Sequence, residues 1–201
     1  MMDIYNKLLE LLGEQKWWPA KTPFEVVVGA VLTQRTKWEN VAKAIRELEK
    51  NDLLEPKMLS KVERSKLESL IKGTGFYKQK AERLQIVSRY FAENDMRSLS
   101  EKPIEALRRE LLSLKGIGKE TADSIILYAL NKPKFVVDAY TVRICKCLGI
   151  SGEYDQLQER FENELPLNVM LFKELHALMV KYGKEFCNQN RCDECVLDVK
   201  K

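Results

Sequence analysis

Two glycines flanking one isoleucine, in the stretch LKGIGKETA from Leu114 to Ala122, constrain this chain more than any other feature. Glycine enters backbone conformations that side chains resist, so Gly116 and Gly118 allow a tight turn and a close approach by another molecule. Ile117 between them is placed to plug into a core and fix the turn. Thr121 and Ala122 then begin a helix whose first N–H groups point back toward the loop. Those donors, with the positive end of the helix dipole, suit a phosphate oxygen. Lys115 and Lys119 add charge beside the same position. The plainer reading is a helix-turn-helix corner with no ligand.

Apolar residues recur at intervals of three and four on both sides of this hairpin, as in Val41, Ile45 and Leu48, or Leu107, Leu111 and Leu114. The pattern predicts an all-α fold. Asp3 is placed to cap a first helix ending near Gly13, Pro23 to open a second, and Pro103 to sit in the first turn of another. The run from Pro23 to about Gln34 is almost wholly apolar and is read as a buried central helix, although its valines also suit a strand. Asn131-Lys132-Pro133 marks the best junction between two lobes. The expected division is a six-helix lobe over 21–133, carrying the hairpin at about 105–130, and a second lobe from 1–20 and 134–201.

With 201 residues, 45% of them hydrophobic and 32% charged, the chain has the composition of a soluble globule. A net charge of +4 permits a polyanionic partner without demonstrating one. No segment approaches the roughly 18 to 20 apolar residues needed to cross a bilayer, and the N-terminus lacks the apolar run of a secretory signal. A cytoplasmic or nucleoid location, no membrane partner and a monomer are expected. Five cysteines without framework spacing read as thiols or metal ligands, not disulfides.

Twenty positions beyond Gly118, the chain reads FVVDAYTVR from Phe135 to Arg143. Asp138 directly follows an apolar run, where a solvated residue is unusual. Capping a helix that starts at Ala139 is the commonest task for such an aspartate.

Hairpin, helix and VVDAYTVRI together resemble the signature of the endonuclease III-like, helix-hairpin-helix (HhH-GPD) DNA glycosylase superfamily, over about Trp18 to Cys195. The resemblance implies a two-lobed helical fold with the active site between the lobes, and double-stranded DNA containing a damaged base as partner. It gives Asp138 a second task, catalysis. Breaking an N-glycosidic bond passes through a sugar of oxocarbenium character, which a nearby carboxylate stabilises or attacks through water. The target base must first leave the stack.

Members that also nick the backbone carry a Schiff-base lysine immediately before the Thr-Ala pair. Here that position holds Glu120, and Lys119 is one residue and roughly 100° away around a helix. The resemblance thus implies a monofunctional glycosylase and is nearest to the 3-methyladenine glycosylase branch called MagIII, which implies an alkylated purine as substrate. GFYKQKAERL from Gly75 supports the same branch. The family's iron–sulfur loop has four cysteines, whereas this chain has Cys187, Cys192 and Cys195. No cofactor is expected; a 4Fe-4S cluster with another fourth ligand, or zinc completed by Asp193 or Asp198, is the alternative. His176 and the pair Cys145 and Cys147 read as helix packing.

Trp18 and Trp38 are the candidate stacking residues of a base pocket, with Pro19 as a rigid wall and Glu120 at its edge. Gln34 matches the family position that fills the hole left by a flipped nucleotide, its amide offering both donor and acceptor. The turn from Gly73 to Lys78 resembles a second DNA-facing loop. Two other functions compete: a glycosylase for oxidised pyrimidines or mismatched thymine, with or without lyase activity through Lys119, and a non-catalytic DNA-binding module in which Asp138 only caps.

Overall fold

The computed structural model describes residues 1–15, 19–189 and 195–197. They form twelve α-helices with short 3-10 turns and, among the described residues, no strand. The chain divides into two compact units, one from 1–18 and 133–201, the other from 19–132. No helix of the described residues is long and apolar enough to cross a membrane.

The second unit carries eight helices, not six. They are α2 (Pro23–Leu32), α3 (Trp38–Lys50), α4 (Pro56–Lys61), α5 (Arg64–Leu70), α6 (Tyr77–Glu93), α7 (Met96–Glu101), α8 (Ile104–Ser113) and α9 (Lys119–Ser124). The surplus comes from six- and seven-residue helices whose starts are set locally: Pro56 at the first turn of α4, and Glu63 and Asp95 accepting backbone N–H bonds ahead of α5 and α7. Helix α2 is helical, not extended, because Thr22 caps it and Pro23 starts it. Every residue from Phe24 to Leu32 is buried, so the helix is the axis of this unit.

The first unit contains α1 (Met2–Leu12), α10 (Ala139–Cys147), α11 (Tyr154–Glu164) and α12 (Val169–Glu185). Helix α1 packs on α12, although more than 150 residues separate them. The backbone N–H of Gln15 donates to Glu174 and Lys181 Nζ to the carbonyl of Leu12 at 3.4 Å. Met1, not Asp3, occupies the N-cap of α1; Asp3 lies in its first turn, where it still meets the helix dipole. Pro103 likewise sits one position earlier than expected, as the N-cap of α8. Cys145 is buried, and burial pushes its thiol up to about 11, but Cys147 is exposed and takes no part in packing. Two positions on a helix turn a side chain by about 200°, so the pair cannot share a face.

Candidate DNA-binding and catalytic site

The hairpin forms between α8 and α9. Gly116 adopts φ +84°, Ile117 N–H closes the turn on the Leu114 carbonyl at 3.0 Å, and Gly118 is the N-cap of α9. Ile117 is buried, 5% exposed, while Lys115, Gly116, Gly118, Lys119 and Glu120 lie at the surface. Helix α9 starts at Lys119, two residues before the expected Thr121, so Lys119 and Glu120 both belong to its first turn. The first amides of a helix have no intrahelical acceptor, which leaves this exposed turn as a backbone donor surface. Beyond Ser124 the helix widens into a π-type turn, Ile125–Ala129, with Leu130 N–H bonded to the Ile125 carbonyl at 3.1 Å. Lys115 Nζ pairs with Glu82 at 2.6 Å, so its charge is shared with α6.

Gln34 belongs to the same constellation. Its Nε2 donates to Thr121 Oγ1 at 3.0 Å and to the Gly116 carbonyl at 3.3 Å, and its Oε1 accepts from Arg83. A Cβ on Gly116 would meet Arg83 Cγ at 2.6 Å, so arginine and hairpin are in close contact. Arg83 escaped the sequence reading because nothing in GFYKQKAERL distinguishes it from the other cations. Phe76 precedes α6 in the left-handed region at φ +48°, is 57% exposed, and lies 6.0 Å from the Arg35 guanidinium. The Gly75-Phe76 step is thus a strained, outward-facing aromatic corner. Lys80 behind it is buried and donates to the Thr74 carbonyl at 2.7 Å, tying down that loop. Trp38 begins α3 half-buried and Pro19 is exposed; Trp18 lies outside the described residues.

In the other unit, Asp138 is held by an extended segment that pairs with no strand among the described residues. Side chains of α11 take up its backbone groups: Glu162 accepts from Phe135 N–H at 2.8 Å and Gln158 donates to the Phe135 carbonyl at 2.6 Å. This solves the problem of burying unpaired peptide groups. Phe135 stacks on Phe161 at 4.2 Å and stands edge-on to Phe172 at 5.5 Å. The segment therefore arrives rigidly at Asp138, the N-cap of α10. Its Oδ1 accepts from the Thr141 N–H at 2.8 Å and from Thr141 Oγ1 at 2.9 Å. The carboxylate remains partly exposed, and Oδ2 faces His176 Nε2 at 3.9 Å.

Helix α10 meets α12 closely. Gly183 leaves room for Tyr140: a Cβ there would come within 2.9 Å of the tyrosine Cβ and Cγ. His176 and Gly183 are seven residues apart, two helical turns, and so share the face of α12 turned to α10. Burial lowers the pKa of His176, while Asp138 works in the opposite direction. His176 is thus packed, as expected, but packed toward the aspartate.

At the C-terminal end, Tyr182 Oη donates to Cys195 Sγ at 3.1 Å. Cys187 and Cys195 are both half-buried, and Cys192 lies outside the described residues. Three sulfurs do not complete a four-thiolate set, and the one described contact of Cys195 is a phenol. Among the described residues no three metal-ligating side chains gather at one place, and no chemical step is assigned to a cluster.

Hairpin and capped aspartate on an all-helical frame define the class: a helix-hairpin-helix protein with a carboxylate at its second landmark. Residues 28–167 match the family model described as HhH-GPD superfamily base excision DNA repair protein. The chain belongs to that superfamily and is a DNA glycosylase. A Methanocaldococcus jannaschii protein named as a DNA repair glycosylase is 48% identical over 200 residues, covering 96% of this chain and 91% of that protein. Endonuclease III of Thermotoga maritima is 33% identical, covering 87% and 80%. Among solved structures, the H. pylori 3-methyladenine DNA glycosylase MagIII bound to 1,N6-ethenoadenine has a TM-score of 0.79 at 35% identity, covering 91% of this chain and 96% of that one.

Proposed function

We propose that this glycosylase is monofunctional and hydrolyses the N-glycosidic bond of alkylated purines such as 3-methyladenine. One observation carries the reading: Glu120 occupies the first, exposed turn of the hairpin helix where the lyase branch requires a lysine. A carboxylate cannot form a Schiff base with the sugar, so the chemistry falls to Asp138 and water. Water adds to the sugar carbon and gives up a proton to solvent, the base leaves with the bonding electron pair, and an alkylpurine that was cationic in the nucleotide departs neutral. Asp138 offers Oδ2 to the developing positive charge while Oδ1 stays in the helix cap. The 35% identity to a 3-methyladenine glycosylase supports the substrate class.

The hairpin amides of the first turn of α9, with Lys119, take DNA phosphates without reading sequence. Phe76 and Gln34 serve as wedge and gap-filler, and Trp38 with Pro19 as walls for the base. No cofactor enters this scheme.

Incubation with duplexes carrying single defined lesions tests it. Release of 3-methyladenine, an intact strand until alkali is added, and loss of release in Asp138→Asn are expected. A competing reading, an oxidised-pyrimidine glycosylase with lyase action, draws on the 33% identity to an endonuclease III and on Lys119 in the same turn. Borohydride trapping of a covalent adduct that disappears in Lys119→Ala would establish it instead.

A further inference from the structure

We propose that His176 is a positioning residue for the reaction: its Nε2–H holds Oδ2 of Asp138, the carboxylate oxygen that the helix cap leaves over. The inference rests on the catalytic reading of Asp138 given above.

Two donors from Thr141, N–H and Oγ1, converge on Oδ1. They fix one end of the carboxylate and leave Oδ2 to swing about it. On one side of that swing stands His176, 4% exposed, with Nε2 at 3.9 Å. A shift of about 1 Å converts this spacing into a hydrogen bond of ordinary length. The partner is rigid, because the Tyr140–Gly183 contact two turns along α12 sets the separation of the two helices.

The residue type suits the task. A lysine or arginine here would neutralise the carboxylate that must face an oxocarbenium-like sugar. An imidazole kept neutral by burial supplies an oriented N–H dipole and leaves the negative charge in place. Toward α10 the following turns of this face hold Val180 and then Gly183, neither of which carries a polar side chain. His176 does not touch the reacting atoms and is a positioning group only.

His176 is the only histidine of the chain, so its imidazole resonances are unambiguous. Nitrogen NMR of the wild-type protein near pH 7 is expected to show a neutral ring protonated on Nε2, with that signal moving in Asp138→Asn. A ring protonated on Nδ1 alone would point a lone pair at the carboxylate and overturn the proposal, whatever the enzyme's substrate. The kinetic arm uses the lesion that the wild type excises fastest. Single-turnover release in His176→Phe should fall by between about tenfold and about a hundredfold. Affinity for a duplex with a tetrahydrofuran abasic analogue should stay within about twofold, and His176→Gln, which restores an N–H, should recover most of the rate. A parallel loss of melting temperature and duplex affinity in His176→Phe would assign His176 to packing. If the wild type releases no base from any lesion, the functional reading fails, and the NMR arm alone decides the contact.

Discussion

Arg108 grips Asp123 with two hydrogen bonds, Nε to Oδ1 at 2.8 Å and Nη2 to Oδ2 at 3.1 Å, and the aspartate side chain is fully buried. The pair ties α8 to α9 and so sets the two arms of the hairpin. Removing only the arginine leaves a buried charge without its main counter-ion. Arg108→Ala is expected to lower unfolding free energy by about 3–5 kcal/mol, read from urea denaturation. Replacing both partners with apolar residues, as in Arg108→Met with Asp123→Leu, should recover much of that loss. Equal instability of single and double variants would refute this account of the pair.

At Gly116, two costs coincide for any side chain. The residue needs φ +84°, and a Cβ would press on Arg83, which also holds Gln34. Gly116→Ala should weaken duplex affinity about tenfold while leaving its salt dependence unchanged, because no cation is lost. Lys119→Ala should instead reduce the slope of log affinity against log salt by about one. Titrations at several salt concentrations separate the two effects, and identical slopes for both variants would argue against Lys119 as a phosphate contact.

For Gly183, the expected damage is to chemistry and not to DNA binding. An added methyl must push Tyr140 and with it the start of α10. Gly183→Ala should destabilise the fold by about 1–3 kcal/mol and reduce base release sharply at saturating DNA. Unchanged single-turnover rates would show that the α10–α12 spacing has no bearing on Asp138.

Lys80 gives the stability a pH signature. Burial chiefly, and Arg83 beside it, lower its pKa from 10.5 to about 8. Between these values the unfolded chain holds the proton that the folded chain has released, so stability rises with pH across that window. Above about pH 9 the trend is opposed: burial raises the Cys145 thiol from 9.0 to about 11, and burial with Glu110 raises the Tyr90 phenol, so the unfolded chain ionises at these groups before the fold does. Denaturation midpoints should therefore increase from pH 8 to about 9 in the wild type and stay flatter in Lys80→Met. An equal rise in both proteins would exclude Lys80 as its source.

Local signals made much of this legible. The apolar run after Pro23, the paired glycines and the aspartate after Phe135-Val136-Val137 each carry their reason within a few residues. Where the reading slipped, the cause was positional: Asp3 fell inside α1 instead of ahead of it, and Cys147 turned away from the face of Cys145. What stayed hidden depends on distant partners. His176 sits in an ordinary apolar helix, 38 residues beyond Asp138, and no spacing rule links them. The same holds for Gln158 and Glu162, whose support of the extended segment is visible only once α11 lies against it. Arg83 became distinctive solely through its bond to Gln34 and its contact with Gly116.

The packing of α1 on α12 makes biosynthesis asymmetric. Residues 19–132 form one uninterrupted run, so this unit draws on no residue outside that run for its chain continuity. The unit bearing Asp138 must bring together Gln15 and Glu174, separated by 159 positions, a long-range loop closure. Chain order alone thus separates the two units: every residue of the hairpin unit is present once position 132 is made, whereas the unit of Asp138 lacks its Gln15–Glu174 bond until position 174.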